Sequence, residues 1–541
     1  MTWRAGRQGH GRRRLSTTGT LALLVLLAGC TIGPSPAPDL VVSGAGPATT
    51  PATATSDTRP VGPGGPGRTA EPLDFADCPF DYDSTGPTDP TGPTGSERTF
   101  VIDCANLVVP KIYDAPNDPG TFSISVARAR AENTPQDAPM LVVMLDDPGE
   151  HPASAIAAVA GSLPAALLER FRIVTMDYRG TGDSAPVACV SGATADDILS
   201  LGADPASDAA LQLLTSVSRS LTFDCGDLAE DDLTRFATVP TADDLDTLRA
   251  ALGAETLDLL GRGHGATLGA VYAERYPGRV GALVLDTPAD PRLTPQDRAT
   301  ASAEAAEQTF DSFAAACADF DGGCPLGPDP RATVSRTVAA LGDSGTLSND
   351  RQLISGGSIL LATMLGLGSP DTWPALARAL ADADTGDVDA IANLLLAEAT
   401  LPDAGDRLSA GILYACNDSA QRLSGTELQQ AAATAGEQAP LFGPFAASTV
   451  GLCAGWPAPS TALSGVTAVG AAPVLVLGSV DDPVTAFTGV RSLAGQMNSA
   501  VLLSWQSATH GSYPASACIT GFVDDYLIDG TVPGNDQLCP P

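Results

Sequence analysis

The chain is poor in lysine, with one, Lys111, in 541 residues. Arginine supplies the other strong bases, and the formal net charge is −34. So acidic a chain offers no electrostatic footprint for nucleic acid or for an anionic lipid surface, and nucleic acid is excluded as a partner. Histidine is almost as scarce, at His10, His151, His264 and His510. With so few imidazoles, and no C-x-x-C among the 11 cysteines, no metal cluster and no cofactor are expected. Beyond residue 30 no apolar run is long enough to cross a bilayer as a helix.

What is present begins with an export signal. Arg4, Arg7, Arg12, Arg13 and Arg14 precede a short apolar run, Leu21 to Leu27, followed by Ala28-Gly29-Cys30. Basic start, short apolar centre and small residues before the cut make residues 1–29 a signal peptide. A cysteine directly after Leu-Ala-Gly resembles a lipobox. Cleavage before Cys30 and lipidation of its thiol would anchor the chain to the extracytoplasmic face of the cell membrane; the other reading is an ordinary signal with an incidental cysteine. The paired arginines leave both general and twin-arginine export open. Residues 30–72 are rich in Pro, Ala, Thr and Gly and are expected to form a disordered tether.

Ten cysteines remain after Cys30, an even number that suits five disulfides in an oxidising compartment. Neighbours along the chain would pair as Cys78–Cys104, Cys189–Cys225, Cys317–Cys324, Cys416–Cys453 and Cys518–Cys539, although spacing alone does not fix connectivity.

Short apolar runs alternate with helical patterns. "MLVVML" (140–145), "FRIVTMD" (171–177), "TLDLLG" (256–261), "GALVLD" (281–286), "PVLVLG" (473–478) and "AVLLSW" (500–505) read as strands buried on both faces of a mostly parallel sheet. Residues 242–252 read as an amphipathic helix with Leu245, Leu248 and Leu252 on one face and Thr241 as its N-cap. From 286 to 473 no strand is evident, and helical stretches at 298–318, 329–341, 358–366, 373–383 and 387–398 suggest an inserted cap. The expected layout is an α/β core at 73–291, a helical cap at 292–440 and a second part of the core at 441–541.

Between one of these strands and the next helix lies "GRGHG" (261–265). Strand, alternating glycines and helix form the setting of a nucleophile elbow, G-x-S-x-G. Further landmarks are "VTMDYRGTGDSAPVAC" (174–189), "YAERYPGRVGALVLDTPADP" (272–291), "FDSFAAACADFDGGCPLG" (310–327), "LVLGSVDDPVTAF" (475–487) and "ATHGSY" (508–513). On these residues the chain resembles the secreted, actinobacterial tripeptidyl-aminopeptidase-like branch of the prolyl-iminopeptidase family of α/β-hydrolases, over roughly 73–541. The resemblance implies the α/β-hydrolase fold with a helical cap, and catalysis by Ser, Asp and His in that order along the chain. It identifies Asp482, rather than its neighbour Asp481, as the acid and His510 as the base.

The sequence departs from that family at two places. The nucleophile position is Gly263, and no serine occurs between Ser220 and Ser302 to take its place. Where the family has Gly-Gly-Pro-Gly near the oxyanion, this chain has Asp146 and Asp147 in "MLDDPGEH". A carboxylate about 4 Å from a developing oxyanion opposes it by roughly 4 kcal/mol at an effective dielectric near 20, on the order of a thousandfold in rate. The expectation is therefore a lipid-anchored relative of serine exopeptidases that no longer uses a serine, kept for a peptide or acyl ligand under the cap or for an envelope role. The alternative is a hydrolase, peptidase or esterase, in which Asp482 and His510 activate water, or in which His264, His510, Asp482, Asp146 and Asp147 gather around a metal. His264 could equally be a packed ring in place of the family's aromatic.

Overall fold

In the computed structural model, the residues described are 70–78, 85–86, 98–115, 119–399, 404–459 and 461–541. The signal, Cys30 and the tether as far as residue 69 lie outside them. Nine strands build one sheet around the six runs legible in the sequence. They are β1 (Arg98–Pro110), β2 (Thr121–Ala131), β3 (Met140–Met144), β4 (Arg172–Met176), β5 (Leu257–Arg262), β6 (Val280–Asp286), β7 (Val474–Ser479), β8 (Ala500–Trp505) and β9 (Gln537–Cys539). Their spatial order is β1-β2-β4-β3-β5-β6-β7-β8-β9, and two-residue strands at Ala76–Asp77 and Thr85–Gly86 pair with β1. β1, β2 and β4 pair antiparallel, and every pairing from β4 through β3 to β9 is parallel.

Alternation along each parallel strand feeds two cores. Val142, Val174, Leu259, Leu283, Val474, Val476 and Leu502 join one cluster. Leu141, Val143, Ile173, Leu260, Val284, Leu475, Leu477 and Leu503 join the other, on the opposite face. Fully burying one such side chain stabilises the fold by about 1.5–3 kcal/mol relative to exposure. A sheet covered on both faces therefore needs uninterrupted apolar strands, which is why they could be read from sequence.

Between β6 and β7 the chain is helical, from Pro295–Cys317 through Pro330–Leu341, Gly356–Leu367, Trp373–Asp384, Asp389–Ala399, Ala404–Asn417 and Gly425–Gln438 to Gly443–Val450. The helical layer thus runs past residue 440. Among the described residues its one strand pairing is a two-residue ladder of Thr346–Leu347 with Leu353–Ile354. Phe310, Phe313, Trp373 and Phe442 stack edge-on or tilted at its centre. No described helix is long and apolar enough to cross a membrane.

The helix expected at 242–252 starts earlier, at Thr238, and ends at Ala251. Its N-cap is Ala237, with no side-chain cap. Thr241 instead lies inside the first turn, donating its hydroxyl to the carbonyl of Ala237. Pro240 is accommodated because the first-turn amides have no helical acceptor to lose. Five disulfides link Cys78–Cys104, Cys189–Cys225, Cys317–Cys324, Cys416–Cys453 and Cys518–Cys539.

Candidate active site

Four loops at the C-terminal ends of parallel strands converge. Asp146 follows β3, Gly263 follows β5, Asp482 follows β7 and His510 follows β8. The crevice beyond the carboxyl ends of the strands is where an open α/β sheet presents its functional side chains.

The β5 turn is tight. Gly263 has φ +51° and ψ −113° and caps the helix His264–Arg275. A Cβ on Gly261 would lie 2.3 Å from the carbonyl oxygen of Gly265, and one on Gly265 would lie 2.4 Å from that of Met144. The outer glycines are therefore required by backbone approach, and the middle one takes a positive φ that glycine adopts without strain.

His510 is held from both sides. Its Nδ1 is 2.9 Å and 2.8 Å from the two carboxylate oxygens of Asp482, and its Nε2 is 2.6 Å from Oδ2 of Asp146. Asp482 is buried, and its Oδ1 also accepts the amides of Val484 at 2.8 Å and Thr485 at 3.0 Å. Asp481 points elsewhere, its carboxylate accepting from Gln308 at 2.6 Å. Burial works against a charged imidazole. The charge of Asp482 and the hydrogen bonds to Asp146 and Asp482 outweigh it and raise the His510 pKa to about 10. Burial likewise works against ionised Asp146, yet the His510 bond and charge, with Arg262, lower its pKa to about 2. Near neutrality the group is an imidazolium between two carboxylates.

Asp146 also occupies the space in front of Gly263. A Cβ on Gly263 would lie 1.3 Å from Asp146 Oδ1 and 2.3 Å from its Cγ. The backbones interlock as well: the amide of His264 donates to the carbonyl of Asp146 at 2.9 Å, and that of Gly265 to Leu145 at 3.1 Å.

The remaining expected residues do not join this group. Asp147 accepts the amide of Gly149 at 2.8 Å and lies 3.8 Å from Arg407. His264 turns its Nε2 to the hydroxyl of Thr238 at 3.0 Å and packs edge-on against Tyr414, 5.3 Å between ring centres. Thr238 gives its own proton to Asp418 at 2.7 Å, so the His264 Nε2–H is the donor. Burial and the charge of Arg298 lower the His264 pKa to about 4, and the ring stays neutral. The metal alternative therefore does not fit. Both nitrogens of His510 face carboxylates, and no three His, Cys, Asp or Glu side chains among the described residues are placed to hold an ion. For the activated-water alternative, Nε2 is the atom that would take the proton, and in this structure it is bonded to Asp146.

Two further residues position the His510 loop. Arg262 donates to the carbonyl of His510 at 2.7 Å. Asp286, buried at the end of β6, accepts the hydroxyl of Ser512 at 2.7 Å and the amide of Tyr513 at 3.0 Å, and burial raises its pKa. Arg262 is the second letter of "GRGHG", a variable position in the elbow pattern, so nothing marked it.

A parallel sheet with catalytic-type loops after its strands and helices over them is an α/β-hydrolase fold. Comparison with known families agrees: the family described as alpha/beta hydrolase fold matches residues 156–354, and the one described as TAP-like protein matches 439–539. The serine protease Hip1 of Mycobacterium tuberculosis is 30% identical over 459 residues, covering 81% of this chain and 87% of that protein. Carboxylesterase B of the same organism is 31% identical over 474 residues, covering 81% and 86%. The tripeptidyl aminopeptidase of Streptomyces lividans is 26% identical over 501 residues, covering 87% of each. The chain belongs to the TAP-like, tripeptidyl-aminopeptidase-related family of α/β-hydrolases.

Proposed function

We propose that this protein is an exported, Cys30-anchored member of its family that performs no serine hydrolysis and is kept for binding a ligand beneath its helical layer or for an envelope role. In this reading Gly263 stands where the family's serine would be, and glycine offers no atom for an acyl-enzyme. The observation that carries it is the 1.3 Å between Asp146 Oδ1 and the Cβ position of Gly263. The place is filled as well as vacated, and by a group that also binds the base. A serine needs a neutral imidazole to take its proton; an imidazolium between two carboxylates cannot. The amide after the nucleophile normally serves the oxyanion, and here the amide of His264 already donates to Asp146.

Purified protein is expected to leave aminoacyl and tripeptidyl amides and p-nitrophenyl esters intact, and to take up no fluorophosphonate. Turnover abolished by His510→Ala would overturn the proposal. Export and anchoring are tested separately. Cys30→Ala should move the mature protein from the membrane fraction to the medium, and unchanged fractionation would remove the anchor from the proposal.

A further inference from the structure

A cavity of about 290 Å³ opens within the helical layer, lined by Arg298, Ala299, Leu361, Met364, Phe445 and Val450 among others. It adjoins the site. Ser302, on its wall, donates to the carbonyl of Val484 at 3.1 Å, and the amide of Val484 donates to Asp482. Its lining is largely apolar, and Arg298 is the one charged residue among the described residues that line it.

Arg298 is partly buried. Its Nε is sealed from solvent without a partner, and among the described residues the side chain has no counter-ion in hydrogen-bond contact. Two carboxylates act on it through space, Asp418 and Asp290, and both are engaged elsewhere. Asp418 accepts the amide and hydroxyl of Thr238. Asp290 accepts from Ser492, Gln496 and Arg292. Desolvating a cation costs several kcal/mol, about as much as a well-placed counter-ion returns. An unpaired guanidinium in an apolar wall thus lacks a partner that its planar fork matches, a carboxylate.

The size sets the rest of the ligand. An apolar cavity of about 150 Å³ takes a benzene ring, so this one accepts an apolar body of roughly eight to twelve heavy atoms. A single base in the wall suits a single negative charge. We propose that the cavity binds an apolar monocarboxylate, either a medium-chain fatty acid or an N-acylated apolar amino acid at a peptide's C-terminus, with the carboxylate on Arg298. The proposal rests on the ligand-binding reading above and gives it a chemical class.

The test is calorimetric titration of the full mature protein with octanoate, N-acetyl-leucine, octan-1-ol and octyltrimethylammonium. One or both acids should bind saturably, one to one, and more tightly than the alcohol or the cation; the better acid identifies the source. Arg298→Gln should weaken acid binding at least tenfold and leave the alcohol unchanged. Thr449→Trp, at an exposed position of the lining, should block acid and alcohol alike and guards against misfolding of the first variant. Equal binding of acid and alcohol, unchanged affinity in Arg298→Gln, or no binding of either acid would overturn the proposal. Fluorophosphonate labelling is scored independently. Labelled protein that binds octanoate sinks the claim of lost hydrolysis and leaves this site standing; unlabelled protein that binds neither acid does the reverse.

Discussion

Asp146 and His510 form a contact that closes the site: carboxylate Oδ2 lies 2.6 Å from imidazole Nε2, while the other oxygen of the same carboxylate fills the space before Gly263. One side chain thereby fills the space before Gly263 and engages both the imidazole and the turn. Departures that look separate in the sequence, a glycine at 263 and an aspartate at 146, are a single packing solution. The missing Cβ makes room for the carboxylate.

That coupling is measurable. Gly263→Ala forces a methyl into the Asp146 carboxylate and places a side chain at φ +51°. We expect it to destabilise the protein by about 2–4 kcal/mol, from a strained backbone and a displaced buried contact. In an Asp146→Gly background the same change should cost about half as much, leaving only the backbone component. Urea denaturation of the four proteins checks this, and equal costs in the two backgrounds would show that the carboxylate is not the obstacle.

The ion pair has a defined pH window. Asp146 is lowered from about 3.8 to about 2, so its contribution is complete above about 4 and is lost as pH falls through 2. His510 is raised from 6.5 to about 10, so its contribution is complete below about 6.5 and is lost as pH rises through 10. Asp146 keeps 33% of its side chain exposed, which screens the pair. The melting advantage of the natural protein over Asp146→Asn should therefore be modest, about 1–2 kcal/mol. It should peak between about pH 4 and 6.5 and shrink toward pH 10. An advantage that grows from pH 7 to 10 contradicts the assignment.

Six buried strands were legible because the parallel sheet is covered on both faces and tolerates few polar residues in them. β1 and β2 were not, because they carry exposed and charged positions: Val101 and Val108 of β1 are exposed, and Arg128 of β2 reaches Asp103 of β1. Their alternation carries charged residues where a core strand would carry none. Asp482 and His510 were legible from their flanking strings. The contact of Asp146 with His510 was not, because it depends on the register that sets Met144 beside Gly261, a pairing between residues far apart in the chain. Arg298 carried no signal, since one arginine in an Ala-rich helix looks like any solvated base. Its setting depends on tertiary placement, which brings it near Asp418 and Asp290 while both are bonded elsewhere.

The helical layer is fastened by a cystine near the cavity. Cys416–Cys453 joins the helix Ala404–Asn417 to the segment after Gly443–Val450, and Cys416 is fully buried. Replacing both cysteines by alanine should cost about 2–5 kcal/mol. If the layer supports the cavity, the same change should weaken octanoate binding. Loss of stability with unchanged binding would mean that the cavity walls are fixed by other contacts.

The most informative variant rebuilds the reaction. Gly263→Ser alone should remain unlabelled by a fluorophosphonate, because the hydroxyl would collide with Asp146 and His510 would still be held as an imidazolium. Adding Asp146→Gly removes the carboxylate from both places. His510 then keeps only Asp482 as a partner, so its pKa falls and a neutral imidazole becomes available within the working range of a general base. Adding Asp147→Gly frees the loop after β3 from its side-chain bond to the Gly149 amide, giving backbone donors room to face an oxyanion. The triple variant should label, and labelling should vanish on His510→Ala. Labelling of Gly263→Ser alone would show that Asp146 moves aside readily and that loss of the serine was the whole lesion. A folded triple variant that stays inert would place a further defect elsewhere, with Arg262 and its hold on the His510 carbonyl the next position to change.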